Sequence, residues 1–168
     1  MLRFLVLLLI LIGAAAIQTA LSDLASIGPA RPDLMIAAAV YLALAFDARE
    51  VFIALWGLGI LRDACCALPM GVHGLVFLGI ALLGNRVRQV TPPGSPVVLG
   101  FMAAMAAVLC ETIGAFVLSA LYHAPVPGGL VFSTLLSGCY TAALAVILPR
   151  FLYHPCRWVG MGRLSSPL

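Results

Sequence analysis

The sequence predicts an all-α membrane protein, a single bundle of about six transmembrane helices resembling no soluble enzyme in its composition. Two observations carry that expectation. Of 168 residues, 64% are hydrophobic and only 9% are charged, whereas a soluble domain carries about 25% charged residues. The apolar residues also fall into segments divided by proline, glycine and charge, at about 3–22, 33–46, 50–68, 71–89, 97–121 and 128–152. No hydrophilic stretch between them is long enough to fold separately, so residues 1–168 read as one integral membrane domain.

The first segment runs from Phe4 to Leu21 behind Arg3, and about 18 apolar residues span a bilayer. Ala14-Ala15-Ala16 also fits a cleavable signal, whose removal would leave five helices with the termini on opposite sides. A retained first helix is the favoured reading. The second segment opens at Arg31-Pro32-Asp33 and is shorter than the roughly 20 residues a span usually needs. Asp47-Ala48-Arg49-Glu50 then makes a tight charged turn into the third segment. The fourth follows Pro69, near the helix start where proline is best tolerated. The loop Arg86 to Pro96 contains Thr91-Pro92-Pro93-Gly94-Ser95-Pro96 and cannot be helical throughout. Two long apolar segments complete the chain.

Orientation follows from the arginines, because positive residues near helix ends resist translocation. With both termini inside, the cytoplasmic side holds Arg3, Arg49, Arg86, Arg88, Arg150, Arg157 and Arg163, and the outer side holds Arg31 and, at most, Arg62. The expected location is a bacterial cytoplasmic membrane, multi-pass, with both termini cytoplasmic. The net charge of +3 comes from dispersed arginines in a chain without lysine, a pattern that argues against nucleic-acid binding.

Three ionisable residues fall inside the apolar segments: Arg62, Asp63 and Glu111. Charge at that depth is expensive, so each is a candidate functional residue, with a bundle-facing structural role as the competing reading. Arg62 and Asp63 are adjacent and point different ways around a helix. Arg62 lies roughly 18 Å from Glu50 and Glu111 roughly 21 Å from Val97 along their helices, so the two could pair. The favoured alternative sends the Arg62 side chain to the outer interface. Asp63 has no obvious cationic partner, and is expected to be protonated or bonded to a neighbouring helix or subunit. Gly57 and Gly59 before it, and Gly71 and Gly74 after Pro69, suit close helix packing.

Catalysis and metal binding find little support. Ser137-Gly138 lacks the glycine at position 135 that an intramembrane serine protease motif needs, because that residue is Leu135. His73, His123 and His154 sit at or near expected helix ends without a second histidine at i+4, and read as interfacial or hydrogen-bonded. The cysteines, with Cys65 and Cys66 adjacent, have no metal-ligand spacing and read as small buried apolar residues. No cofactor or metal is expected.

The stretch from Arg31 to Leu83 resembles MreD, the small membrane subunit of the bacterial rod-shape system. The resemblance rests on Arg31-Pro32-Asp33 opening an apolar helix, Tyr41-Leu42-Ala43-Leu44 before the short polar turn, Gly59-x-x-x-Asp63, and Pro69-x-Gly71. It covers the middle third of the chain well and the rest by length and helix positions. Arg62 departs from the family, which tends to hold an apolar residue there. The resemblance implies a fold similar to the S components of energy-coupling-factor vitamin transporters. It further implies a non-enzymatic scaffold that binds MreC and supports lateral peptidoglycan synthesis with RodA, its transpeptidase partner and the MreB filament, and the region of Gly57, Gly59 and Asp63 is the expected part of the MreC contact. The rival expectation is a vitamin-binding S component, for which Ala16-x-x-x-Ala20 would be the small-residue contact motif. In the topology above, that motif lies on the wrong side.

Overall fold

A computed structural model of the protein describes residues 12–13, 15–18, 32–46, 48–66, 68–91, 95–123 and 128–158. Among them the chain is helical and contains no strand. Residues 15–18 are helical and belong to the first predicted segment. Five bounded helices follow: α1 (Leu34–Ala45), α2 (Ala48–Cys65), α3 (Val72–Val90), α4 (Pro96–Tyr122) and α5 (Leu130–Trp158).

α1 starts because Pro32 cannot donate to a preceding turn while Asp33 can cap the next one. The Asp33 carboxylate accepts the Ile36 N–H at 3.0 Å. The helix stops at Phe46, which turns extended while its N–H still donates to the Leu42 carbonyl. The freed Phe46 carbonyl accepts from the Arg88 guanidinium at 2.7 Å. At 12 residues α1 is only about 18 Å long, and every residue from Met35 to Ala43 is buried. It touches all four other bounded helices and forms the centre of the bundle.

Around it, α2 packs mainly on α3 and α4 mainly on α5. The α2–α3 contact is a backbone contact. A Cβ on Gly59 would collide with Gly74 and lie 2.8 Å from the His73 carbonyl carbon, so only glycine allows this approach. Gly84 of α3 meets α1 in the same way, where a Cβ would stand 2.7 Å from that of Ala43. In the α4–α5 pair, Gly138 faces Val108 and Ala104, and Gly100 faces Val146.

The helix bounds depart from the expected segments by a few residues, and two of the departures are informative. Arg49 and Glu50 belong to the first turn of α2 rather than to the connecting turn. α5 continues past residue 152 through Pro155 to Trp158. The fall in hydropathy there marks the end of the apolar stretch and not of the helix.

Pro96–Tyr122, with mean hydropathy 2.0, and Leu130–Pro149, with 1.9, are long and apolar enough to cross a membrane; among the described residues these two helices meet that test. Polarity is distributed inside out. Phe101, Phe116, Val131 and Phe132 are exposed on α4 and α5, as is Leu75 on α3, whereas Asp33, Arg62, Asp63, His73, Thr134, Ser137 and Thr141 are buried. A protein in water covers itself with the opposite pattern.

A buried polar cluster as the candidate functional site

The polar interior is organised by two adjacent residues of α2 that reach in different directions. Arg62 turns toward the start of α1, where its Nη1 donates to Asp33 Oδ2 in a buried ion pair. Asp33 is thereby used three ways. One oxygen caps α1, the other holds the guanidinium, and its own N–H donates to the Thr141 hydroxyl of α5 at 3.1 Å. Gln18 clasps the same turn from the N-terminal segment: its amide nitrogen donates to the Pro32 carbonyl and its amide oxygen accepts the Leu34 N–H, both at 2.8 Å. Pro32 to Leu34 is therefore the point at which the N-terminal segment, α1, α2 and α5 are tied together.

Asp63 turns toward the start of α3. Gly71 stands at the N-cap of that helix with φ of 107°, a left-handed conformation that glycine adopts without strain, and it has no side chain with which to cap. Asp63 supplies the cap from the preceding helix. Its carboxylate accepts the Gly71 N–H at 2.8 Å and the His73 N–H at 3.0 Å, and pairs with His73 Nδ1 at 2.7 Å. The backbone assists, since the Asp63 carbonyl accepts the Leu68 N–H at 3.3 Å and the Arg62 carbonyl accepts that of Cys66 at 2.9 Å. Asp63 and His73 are 0% and 2% exposed, so these bonds form out of contact with solvent. Helix-terminal N–H groups left without acceptors there would be costly.

Several expectations are corrected by this geometry. Arg62 neither pairs with Glu111 nor reaches outward: it is 9% exposed and bound to Asp33. The short α1 explains the choice, because it lowers its own N-cap to the height of Arg62 in the antiparallel α1–α2 pair. Asp63, by contrast, takes one of the alternatives expected for it and is bonded to a neighbouring helix, α3 of the same chain. Gly59 is consumed by the α2–α3 contact, whereas Gly57 faces open space. Glu111, on α4, takes a hydrogen bond from the Ser137 hydroxyl of α5. Of the cysteines, Cys110 is buried as expected, but Cys65, Cys66 and Cys139 are exposed. Arg31 lies outside the described residues.

His73, Gln18 and Thr141 were missed as members of the cluster. A signal for the Asp33–Arg62 pair was present, since the two are nearly equidistant in sequence from Asp47 at the turn. The role of Thr141 had no such signal, because a contact across 108 positions depends on how the last helix packs.

Among the described residues no group of three or more His, Cys, Asp or Glu is placed to hold a metal ion. The carboxylates of Asp33 and Asp63 are directed at helix termini and at cationic or imidazole partners, an arrangement that locks helices together. Compared with known proteins, the chain matches no family model, no curated protein and no solved structure.

Proposed function

We propose that this chain is an integral membrane scaffold subunit of the bacterial wall-elongation machinery, of the MreD type, that binds MreC and acts without catalysing a reaction. The observation that carries the reading is convergence. Of the residues on which the MreD resemblance rests, Pro32-Asp33, Gly59, Asp63 and Gly71 lie in one polar knot joining α1, α2 and α3. A rigid bundle with an apolar exterior suits a subunit that works by helix contact.

The topology that belongs to this reading is six spans with both termini cytoplasmic, in contact with membrane lipid. It draws on the arginine asymmetry and on the apolar outer faces of α4 and α5. Because Gly59 and Asp63 are used internally, the surface left for MreC on α2 is the exposed side bearing Ile53, Trp56 and Gly57. RodA, its transpeptidase and MreB enter only through that complex.

The test is co-purification of the chain with MreC from membranes, with monodispersity in detergent as the control for folding. Association is expected. A monodisperse chain that does not associate with MreC, and is stabilised instead by a vitamin, would replace the scaffold reading with that of a transporter S component.

A further inference from the structure

The outside of the bundle carries an open groove between the start of α4 and the later part of α5. It holds about 360 Å³ and is lined by Pro96, Val97, Gly100, Ala142, Ala143 and Val146, all apolar. Small residues create it. Gly100 lets the helices approach, since a Cβ there would stand 3.3 Å from Val146, and alanine at positions 142 and 143 leaves room beside that contact. Val97 and Val146 are exposed, so the groove faces outward.

The groove leads toward a basic end. α4 and α5 run antiparallel, with Gly100 against Val146 and Ala104 against Gly138, so the start of α4 lies level with the end of the apolar span Leu130–Pro149. α5 nevertheless stays helical to Trp158, about 13 Å further on. By helical register, positions 150 and 157 fall one and three turns beyond Val146 on the same side of α5. Both are arginine, and Tyr153 and Trp158 in the same stretch are residue types that favour a membrane interface. One side of α5 thus passes from an apolar groove to a pair of basic positions.

We propose that the groove and the basic end of α5 together bind an anionic phospholipid, with an acyl chain along Gly100 and Ala143 and the phosphate at the level of Arg150 and Arg157. The inference rests on the six-span reading given above, which puts this end of both helices at the cytoplasmic leaflet. The ligand must be apolar along its length and negative at one end, and an anionic phospholipid combines the two. A zwitterionic lipid fills the groove equally well but brings a cation of its own to the arginines. Only the anionic lipid gains from both parts of the site.

The experiment embeds the full chain in bilayers of equal parts phosphatidylglycerol and phosphatidylcholine and counts the lipid retained by native mass spectrometry. Phosphatidylglycerol should be retained about fivefold to thirtyfold over phosphatidylcholine, the range expected for one or two arginines on an anionic headgroup. The double variant Arg150→Gln with Arg157→Gln should lose that preference, and Arg150→Lys with Arg157→Lys should keep it. Ala143→Trp, which fills the groove from an exposed position, should lower retention of both lipids. Arg86→Gln, at an exposed arginine of α3, should change nothing. Equal retention of the two lipids overturns the proposal, as does a preference that survives the glutamine pair or falls as far in Arg86→Gln. Unaltered retention in Ala143→Trp overturns the part played by the groove. If the glutamine pair does not stay monodisperse, Ala143→Trp decides the matter. A chain that does not enter the bilayer at all would overturn the membrane reading itself, whereas insertion without lipid preference overturns only this site.

Discussion

The two helical pairs that flank α1 are joined by different chemistry. Between α2 and α3 the backbones touch at Gly59 and Gly74, and Asp63 closes the start of α3 through three donors. Between α4 and α5 the contact is made by small and branched residues, Gly138 against Val108 and Gly100 against Val146, with Ser137 to Glu111 as a polar link. The first pair is specified by directional bonds that few residue types can make. The second is specified by shape alone over most of its length, and its outer faces remain apolar. In a bilayer, where burying hydrocarbon against hydrocarbon gives little driving force, directional bonds and close backbone approach must supply the specificity. The polar pair and its link to α1 are therefore the parts of the molecule least tolerant of substitution.

The contrast is most severely tested at Arg62. Replacing it with alanine leaves Asp33 buried without its cation, and removing one partner of a buried pair costs about 3–5 kcal/mol. Detergent-resistant folded protein should fall sharply in Arg62→Ala, as measured by thermal unfolding. The double variant Asp33→Asn with Arg62→Met should recover part of that loss, because a neutral pair removes the stranded charge while the asparagine still caps α1. A double variant as unstable as the sum of the singles would mean that the pair does not organise this region.

Asp63→Ala comes next. It strands the Gly71 and His73 N–H groups, at about 1–3 kcal/mol for each buried donor left unsatisfied. Asp63→Asn should lose less, because its carbonyl oxygen can still accept. Faster amide hydrogen exchange at the start of α3 in Asp63→Ala would locate the damage there. Gly59→Ala is expected to cost about 1–3 kcal/mol by forcing α2 and α3 apart, since the atoms it meets are backbone. Gly138→Ala should cost less, because the nearest atom, 3.0 Å away, belongs to the Val108 side chain, which can shift more readily than backbone. If Gly138→Ala proved the more damaging, the ranking of the two pairs would be reversed. Gly57→Leu, at an exposed position with open space beside it, should leave stability within about 0.5 kcal/mol of wild type. That makes it the clean probe of the α2 surface proposed for MreC.

Helix existence was readable because apolar runs and proline–glycine punctuation are local properties. The start of α1 was readable in the same way, since Pro32-Asp33 ahead of an apolar run is a capping signal. Pairing inside the bundle was harder. Depth counted along single helices placed Arg62 level with Glu111, but it neglected that a 12-residue α1 brings Asp33 level with Arg62. Asp63 showed no cationic partner because two of its donors are backbone N–H groups, which no residue type announces, and the third is the His73 imidazole at the far side of a turn. Gly59 was recognised as a packing residue, but the surface it packs against belongs to the same chain.

The bond from Asp33 to Thr141 spans 108 positions of sequence, and this separation bears on the order of assembly in the cell. During synthesis α1 and α2 emerge long before α5, so the Asp33 N–H must wait for α5 before it can donate to Thr141. Until then the first three bounded helices hold a partly completed polar centre. Chains truncated before Leu130 should accordingly be cleared by membrane proteases faster than the full chain, measurable by pulse–chase labelling. Equal lifetimes would show that the early helices are secure without the last. On this account α5 is the helix whose arrival completes the polar centre around Asp33.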